Sequence, residues 1–166
     1  MVVMKKRSVE QFDPVCGDPV EGDAHTVDHL GVQFLFCSEQ CKARFQLHPG
    51  LFVGCPGEKA PRQSGQEVIK QRCLRLAFPL MARKAGEIEN CLQKLLGVKS
   101  VNASDDHIDI TYDLLLISAE EIEEEIIECG EYLGHSLRDR LERVFIHVEE
   151  QSEISSLEVH YKKKVD

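Results

Sequence analysis

The period of the apolar positions changes along the chain. In "GVQFLFC" (31–37) the aromatics Phe34 and Phe36 recur at every second position, which predicts a strand. Ser38 then offers a helix cap, with Glu39 and Gln40 in the first turn. Cys41, Phe45 and Leu47 continue at helical spacing until Pro49 and Gly50 stop it. Residues 56–67, "PGEKAPRQSGQE", carry no periodicity and read as a linker. Beyond it, "CLRLAF" (73–78) alternates with Leu74, Leu76 and Phe78 on one face, leaving Cys73 on the other. "AGEIENCLQKLLG" (85–97) predicts an amphipathic helix with Ile88, Cys91, Leu92 and Leu95 inward and Gly97 as its stop. "VKSVNAS" and "HIDITYD" are two short strands joined at "DDH". "SAEEIEEEIIECGEYLG" is a second helix, with Ser118 and Glu121 at capping-box distance. Its Ile122, Ile126 and Ile127 share a face, so its glutamates read as the solvated side, and Cys129 reads as core. The order β-α-β-β-α needs one closing strand to become a ferredoxin-like βαββαβ sandwich. In the tail, "LRDRLERVFIHV" fits a helix or a late strand and "SLEVHYKKK" alternates like a strand, so His147 and His160 receive no role.

These elements give an α+β chain of two small domains: a module over 10–55, the linker 56–67, a sandwich over 68–140, and a C-terminal extension over 141–166. The net charge of −9 argues against nucleic acid, whose phosphates select a basic surface. No stretch approaches the roughly 20 apolar residues that span a bilayer, and "MVVMKKRSVEQFD" has no leader-like apolar run, so a cytoplasmic protein with no membrane insertion is expected. In a reducing compartment, seven cysteines read as metal ligands or small core residues rather than disulfides.

Cys16, Cys37 and Cys41 carry the chemistry. Cys16 lies in the turn-like "PVCGDP". Cys37 and Cys41 bracket a helix start, one turn apart, so both thiols can point to the same side. The positive helix terminus is expected to favour thiolate over thiol there. Three thiolates suit Zn2+ or Cu(I). A module of about 45 residues also buries little surface and gains from a metal staple. For a fourth ligand the candidates are Cys55, His48, Asp13, or none, the last leaving an open site. His25 and His29 fall in the expected connecting loop and read as solvated; Cys91 reads as core.

"DPVCGDPV" followed by "GVQFLFCSEQCKARFQLHPGLF" resembles the YHS/TRASH family of small metal-binding modules over about residues 12–53. The resemblance implies a zinc-finger-like fold, a hairpin plus one helix, that binds one copper or zinc ion through Cys16, Cys37 and Cys41. Asp18 stands where that family often has Met, which removes a soft ligand. Residues 73–135 resemble the heavy-metal-associated (HMA) domain of copper chaperones and metal-pumping ATPases. That family binds metal through C-x-x-C at the first strand–helix loop, and the matching positions here are Met81 and Lys84. The second domain is therefore expected to keep the fold and lack its usual site.

No nucleophile–base pair, phosphate loop or dinucleotide fingerprint appears, so no enzyme is expected. The leading expectation is metal trafficking: a metallochaperone-like protein, or the soluble N-terminal part of a metal-transporting P-type ATPase, with the sandwich as docking surface for such an ATPase or another trafficking protein. The rivals are a structural-zinc scaffold closed by Cys55 and an accessory interaction protein.

Overall fold

The computed structural model describes residues 11–22 and 25–161. By its internal contacts the chain divides into two compact units, one ending at Leu47 and one beginning at His48.

In the first unit, β1 (Gln11–Phe12) and β2 (Pro19–Val20) form a two-residue ladder that closes the turn carrying Cys16. β3 (His25–His29) and β4 (Val32–Phe36) pair antiparallel through Leu30 and Gly31, whose φ values of 51° and 80° make the turn that matches strand twist. α1 (Glu39–Leu47) closes over this hairpin with Phe45, whose ring centroid is 5.1 Å from those of Phe34 and Phe36. His25 and His29, expected in a solvated loop, lie in β3, where "HTVDH" offers only Val27 as an aliphatic position. Instead, His29 packs 5.6 Å from the Phe45 ring, and His25 Nδ1 lies 3.0 Å from Glu39. Leu47, expected inward, is exposed.

The second unit opens on the last residues of the expected module and on the expected linker, 56–67. Pro49–Leu51 and Arg62–Ser64 form 3-10 turns, Cys55 bridges Glu58, and Ala60 is fully buried. Gln63 Oε1 accepts the amides of Gly54 and Ala60, each at 3.0 Å. Such a segment is ordered by hydrogen bonds to turn residues, which leave no periodic apolar signal. Gly50 is needed for close approach: a Cβ there would collide with the Val159 carbonyl, and the Val159 amide donates to Gly50 O at 3.1 Å.

β5 (Ile69–Arg75), α2 (Ala82–Leu92), β6 (Val98–Ser104), β7 (His107–Asp113) and α3 (Ala119–Glu128) follow as expected, in an antiparallel sheet of order β5-β7-β6. This is the ferredoxin-like arrangement. Its helices cover one face, burying Leu74, Leu76, Ile88, Leu92, Ile108, Ile110, Ile122 and Ile126 in one core. The other face carries Cys73, Asn102, Asp109 and Thr111. The capping box at Ser118 and Glu121 forms as the sequence predicts. Phe78 and Ile127, expected inward, are exposed, since β5 ends at Arg75 and Ile127 turns off the packed stripe of α3.

The closing strand is reduced to one bridge, Leu133 to Leu76. The chain continues instead as α4 (Leu137–Leu157), which settles the tail as helix. α4 flanks the edge strand β5: Glu153 pairs with Lys70, and Glu149 and Glu150 lie 3.4 and 3.6 Å from Arg72. Glu150 is buried. It accepts the Tyr112 hydroxyl and, at 2.8 Å, the Ala119 amide at the start of α3. Burial and that carboxylate hold the Tyr112 hydroxyl protonated well above its ordinary pKa. The α3 glutamates are not all solvated, because Glu123 is buried against His147 (2.9 Å) and Arg143 (3.7 Å) of α4.

Glu150 thus ties α4, α3 and the sheet together. Glu150→Ala would strand the Tyr112 hydroxyl and the Ala119 amide and leave Arg72 with Glu149 alone, and should cost about 3 kcal/mol in urea unfolding. Glu149→Ala, at a mostly exposed side chain, should stay within about 0.5 kcal/mol.

Candidate metal centre

Cys16 hangs from the turn between β1 and β2. Cys37 follows the last residue of β4, and Cys41 lies in the first turn of α1. The sulfur of Cys37 is 3.4 Å from that of Cys16 and 3.7 Å from that of Cys41. Together with a carboxylate oxygen of Asp13, the three sulfurs form a cluster in which all donor atoms lie within 4.8 Å of one another. Cys41 is buried, Cys16 half-buried and Cys37 exposed, so the group is open on one side.

Asp13 explains why residues 21 positions apart meet. Its side chain is 1% exposed. Oδ1 accepts the amides of Val15 (2.7 Å) and Cys16 (3.4 Å), and Oδ2 accepts the amide of Cys37 at 2.8 Å. Its backbone adds two bonds, donating to Asp18 O and accepting from Gly17, each at 2.9 Å. Gly17, at φ 84°, supplies the left-handed position this tight turn needs. The Asp18 amide points at the Cys16 sulfur from 3.5 Å, and Ser38 Oγ caps α1 by accepting the Cys41 amide at 3.2 Å.

The electrostatics run against the expectation of ready thiolates. Burial pushes the Cys16 thiol well above its ordinary pKa, and the Asp13 charge adds to the rise. Burial likewise raises Cys41 to about 12; the Ser38 hydrogen bond opposes the rise and the Asp13 charge supports it. Desolvation and a neighbouring carboxylate outweigh the partial positive charge of a short helix start. A cation reverses the balance, because it compensates the thiolates directly, and its binding releases protons.

The other candidate ligands stand outside this cluster. Cys55 sits in its bridged turn with its thiol 4.0 Å from Glu58 Oε2. His48 Nδ1 lies 3.4 Å from Glu158. Met81 caps α2 and is exposed, and Lys84, one turn on, pairs with Glu87 and Glu131. A cation at Lys84 makes this loop a poor place for a second one. Cys73 is exposed, as its position in the strand predicts. The reading of Cys91 and Cys129 as core is corrected: both are half-buried, and their sulfurs meet beside Glu125. The signal was available in the sequence as Glu125 and Cys129, four apart on one helix face. That Cys91 reaches them depends on how α2 packs on α3.

Residues 12–54 match the family model of the YHS domain. No curated protein matches the chain. Among solved structures, the N-terminal soluble domains of Bacillus subtilis CopA are similar, with 22% identity, a TM-score of 0.38, and 40% of this chain matched to 47% of that one. The chain thus spans about half the length of that relative. The CsoZ metallochaperone is similar at 20% identity and a TM-score of 0.38, with 41% of this chain matched to all of that one. No helix among the described residues is long and apolar enough to cross a membrane.

Asp13→Asn keeps the shape but offers one acceptor oxygen for three amides. It should loosen the Cys16 turn from Cys37 and lower metal affinity by roughly 10–100-fold, measured by competition with a chromophoric chelator. Met81→Cys with Lys84→Cys should create an additional soft-metal site at the start of α2, since two thiols one turn apart replace a thioether and a cation. An unchanged metal stoichiometry in a folded double variant would disprove that placement.

Proposed function

We propose that this protein binds one thiophilic metal ion, Cu(I) or Zn2+, through Cys16, Cys37 and Cys41 and passes it on in metal trafficking. The observation that carries the reading is the convergence of these three sulfurs, at 3.4 and 3.7 Å, inside the segment that matches the YHS domain. Asp13 serves as the positioning carboxylate rather than the fourth ligand, because both its oxygens already accept backbone amides. Three thiolates then leave one coordination position free, and the exposed Cys37 marks the side from which a partner thiolate could exchange. No reacting group is needed in such a protein; its chemistry is ligand exchange. The HMA-like unit, without a C-x-x-C pair, is the docking module. A metal-transporting P-type ATPase or another trafficking protein is the partner class that the sequence resemblance suggests. A cytoplasmic setting fits thiols that must stay reduced.

The structural-zinc reading differs in one testable respect, since it needs Cys55 to enclose the metal. Cys37→Ser with Cys41→Ser should abolish binding of one equivalent of metal, read by elemental analysis and chelator competition. Cys55→Ser should leave affinity and the rate of metal loss unchanged. A fall in affinity of several orders of magnitude at Cys55→Ser, with unfolding of the N-terminal unit, would establish the structural-zinc reading instead.

A further inference from the structure

We propose that Cys91, Cys129 and Glu125 form a second metal site, selective for Zn2+, between the two helices of the ferredoxin-like unit. It shares no residue with the N-terminal cluster or with the Met81/Lys84 loop.

Cys91 is the penultimate residue of α2, and Cys129 caps the end of α3. Glu125 lies one turn before Cys129, so the two share a face of α3. The Cys91 thiol donates to Glu125 Oε1 at 3.2 Å, and the Cys129 thiol reaches the same oxygen at 3.9 Å. The two sulfurs and this carboxylate all lie within 4.8 Å of one another. A tetrahedral zinc, with bonds of about 2.3 Å to sulfur and about 2.1 Å to oxygen, sets neighbouring ligand atoms roughly 3.5 Å apart; the two sulfur–carboxylate separations match this spacing, and the two sulfurs, which meet more closely, part to it by rotation of the cysteine side chains.

Three features select a metal over a disulfide and zinc over copper. The Cα atoms of Cys91 and Cys129 are 7.4 Å apart, whereas a disulfide normally holds them within about 6.8 Å. A metal between the sulfurs spans the wider gap without moving either helix. The third donor is a carboxylate, which Zn2+ accepts readily and Cu(I) does not favour. Both thiols hang from the last turns of their helices, where the carbonyl ends favour a cation. All three residues are half-buried, so the site is shielded yet reachable, and two thiolates with one carboxylate leave a fourth position for water.

The full-length chain carrying Cys16→Ser, Cys37→Ser and Cys41→Ser isolates this site from the N-terminal cluster. Titrated with Zn2+ under reductant against a chromophoric competitor, it should still bind one equivalent. With Co2+ it should show the intense visible bands and sulfur-to-metal charge transfer of a tetrahedral thiolate site. Adding Cys91→Ser and Cys129→Ser should remove both signals. Glu125→Gln, a milder change with folding checked by circular dichroism, should weaken Zn2+ at least about tenfold. The proposal is overturned if the isolated site binds no Zn2+, if Glu125→Gln leaves affinity unchanged, or if thiol counting on denatured protein, prepared anaerobically without reductant, shows Cys91 and Cys129 joined as a disulfide. Because the N-terminal ligands are absent throughout, a failure here leaves the trafficking site untouched, and the reverse also holds.

Discussion

A buried carboxylate holds the first unit in register. Asp13 sits at 1% exposure and accepts amides from both sides of the cluster, from the Cys16 turn and from Cys37 at the end of β4. Hydrogen bonds from backbone amides to a charged acceptor are among the stronger ones a protein makes. An ionised side chain is tolerated at this depth because it is so fully engaged. The same bonds set the spacing of two thiols from separate segments, a turn and a strand end. The sulfur cluster of this unit therefore depends on a group whose two oxygens are taken up by backbone amides.

The second unit repeats the device. Asp113, fully buried, accepts the amides of Val68 at 3.0 Å and Leu115 at 3.1 Å and faces Arg62 at 3.5 Å, which pins the entry and exit of the sheet. Glu150 joins Tyr112, Arg72 and the first amide of α3, and Glu123 is gripped by His147 and Arg143. An acidic chain would repel itself if all its carboxylates were merely solvated. Here several are spent as backbone acceptors or helix clamps. The long α4 flanks edge strand β5 in a sheet whose fourth strand has shrunk to one bridge, and an uncovered edge is an invitation to unwanted pairing.

The two cysteine clusters differ in how they are built. The N-terminal one draws its sulfurs from a turn, a strand end and a helix start, so local backbone bonds can preorganise it. The pair at Cys91 and Cys129 comes from two helices far apart in the chain, with Glu125 as the shared acceptor. The first should tolerate changes in the sandwich core, and the second should not.

Much of this molecule was legible in its residue order. Alternation and helical spacing located β4, α1, β5, α2, the β6–β7 hairpin and α3, because each buries one face against a core. The spacing of Cys16, Cys37 and Cys41 pointed to one cluster, since a turn cysteine beside Gly17 and two cysteines one helical turn apart have few other uses. What sequence could not decide was everything that depends on an element's packing partners rather than on its own pattern. β3 has a single aliphatic residue and exists because β4 pairs with it. Residues 48–67 are ordered by Gln63, Asp113 and Val159, not by a pattern of their own. Glu123 and Glu150 look like surface charges until α4 is in place. The thiol pKa values rise where the helix start alone would lower them, since burial and Asp13 act only in the folded unit. Periodicity records which face of an element is buried; the identity of what lies against that face is a property of the tertiary fold alone.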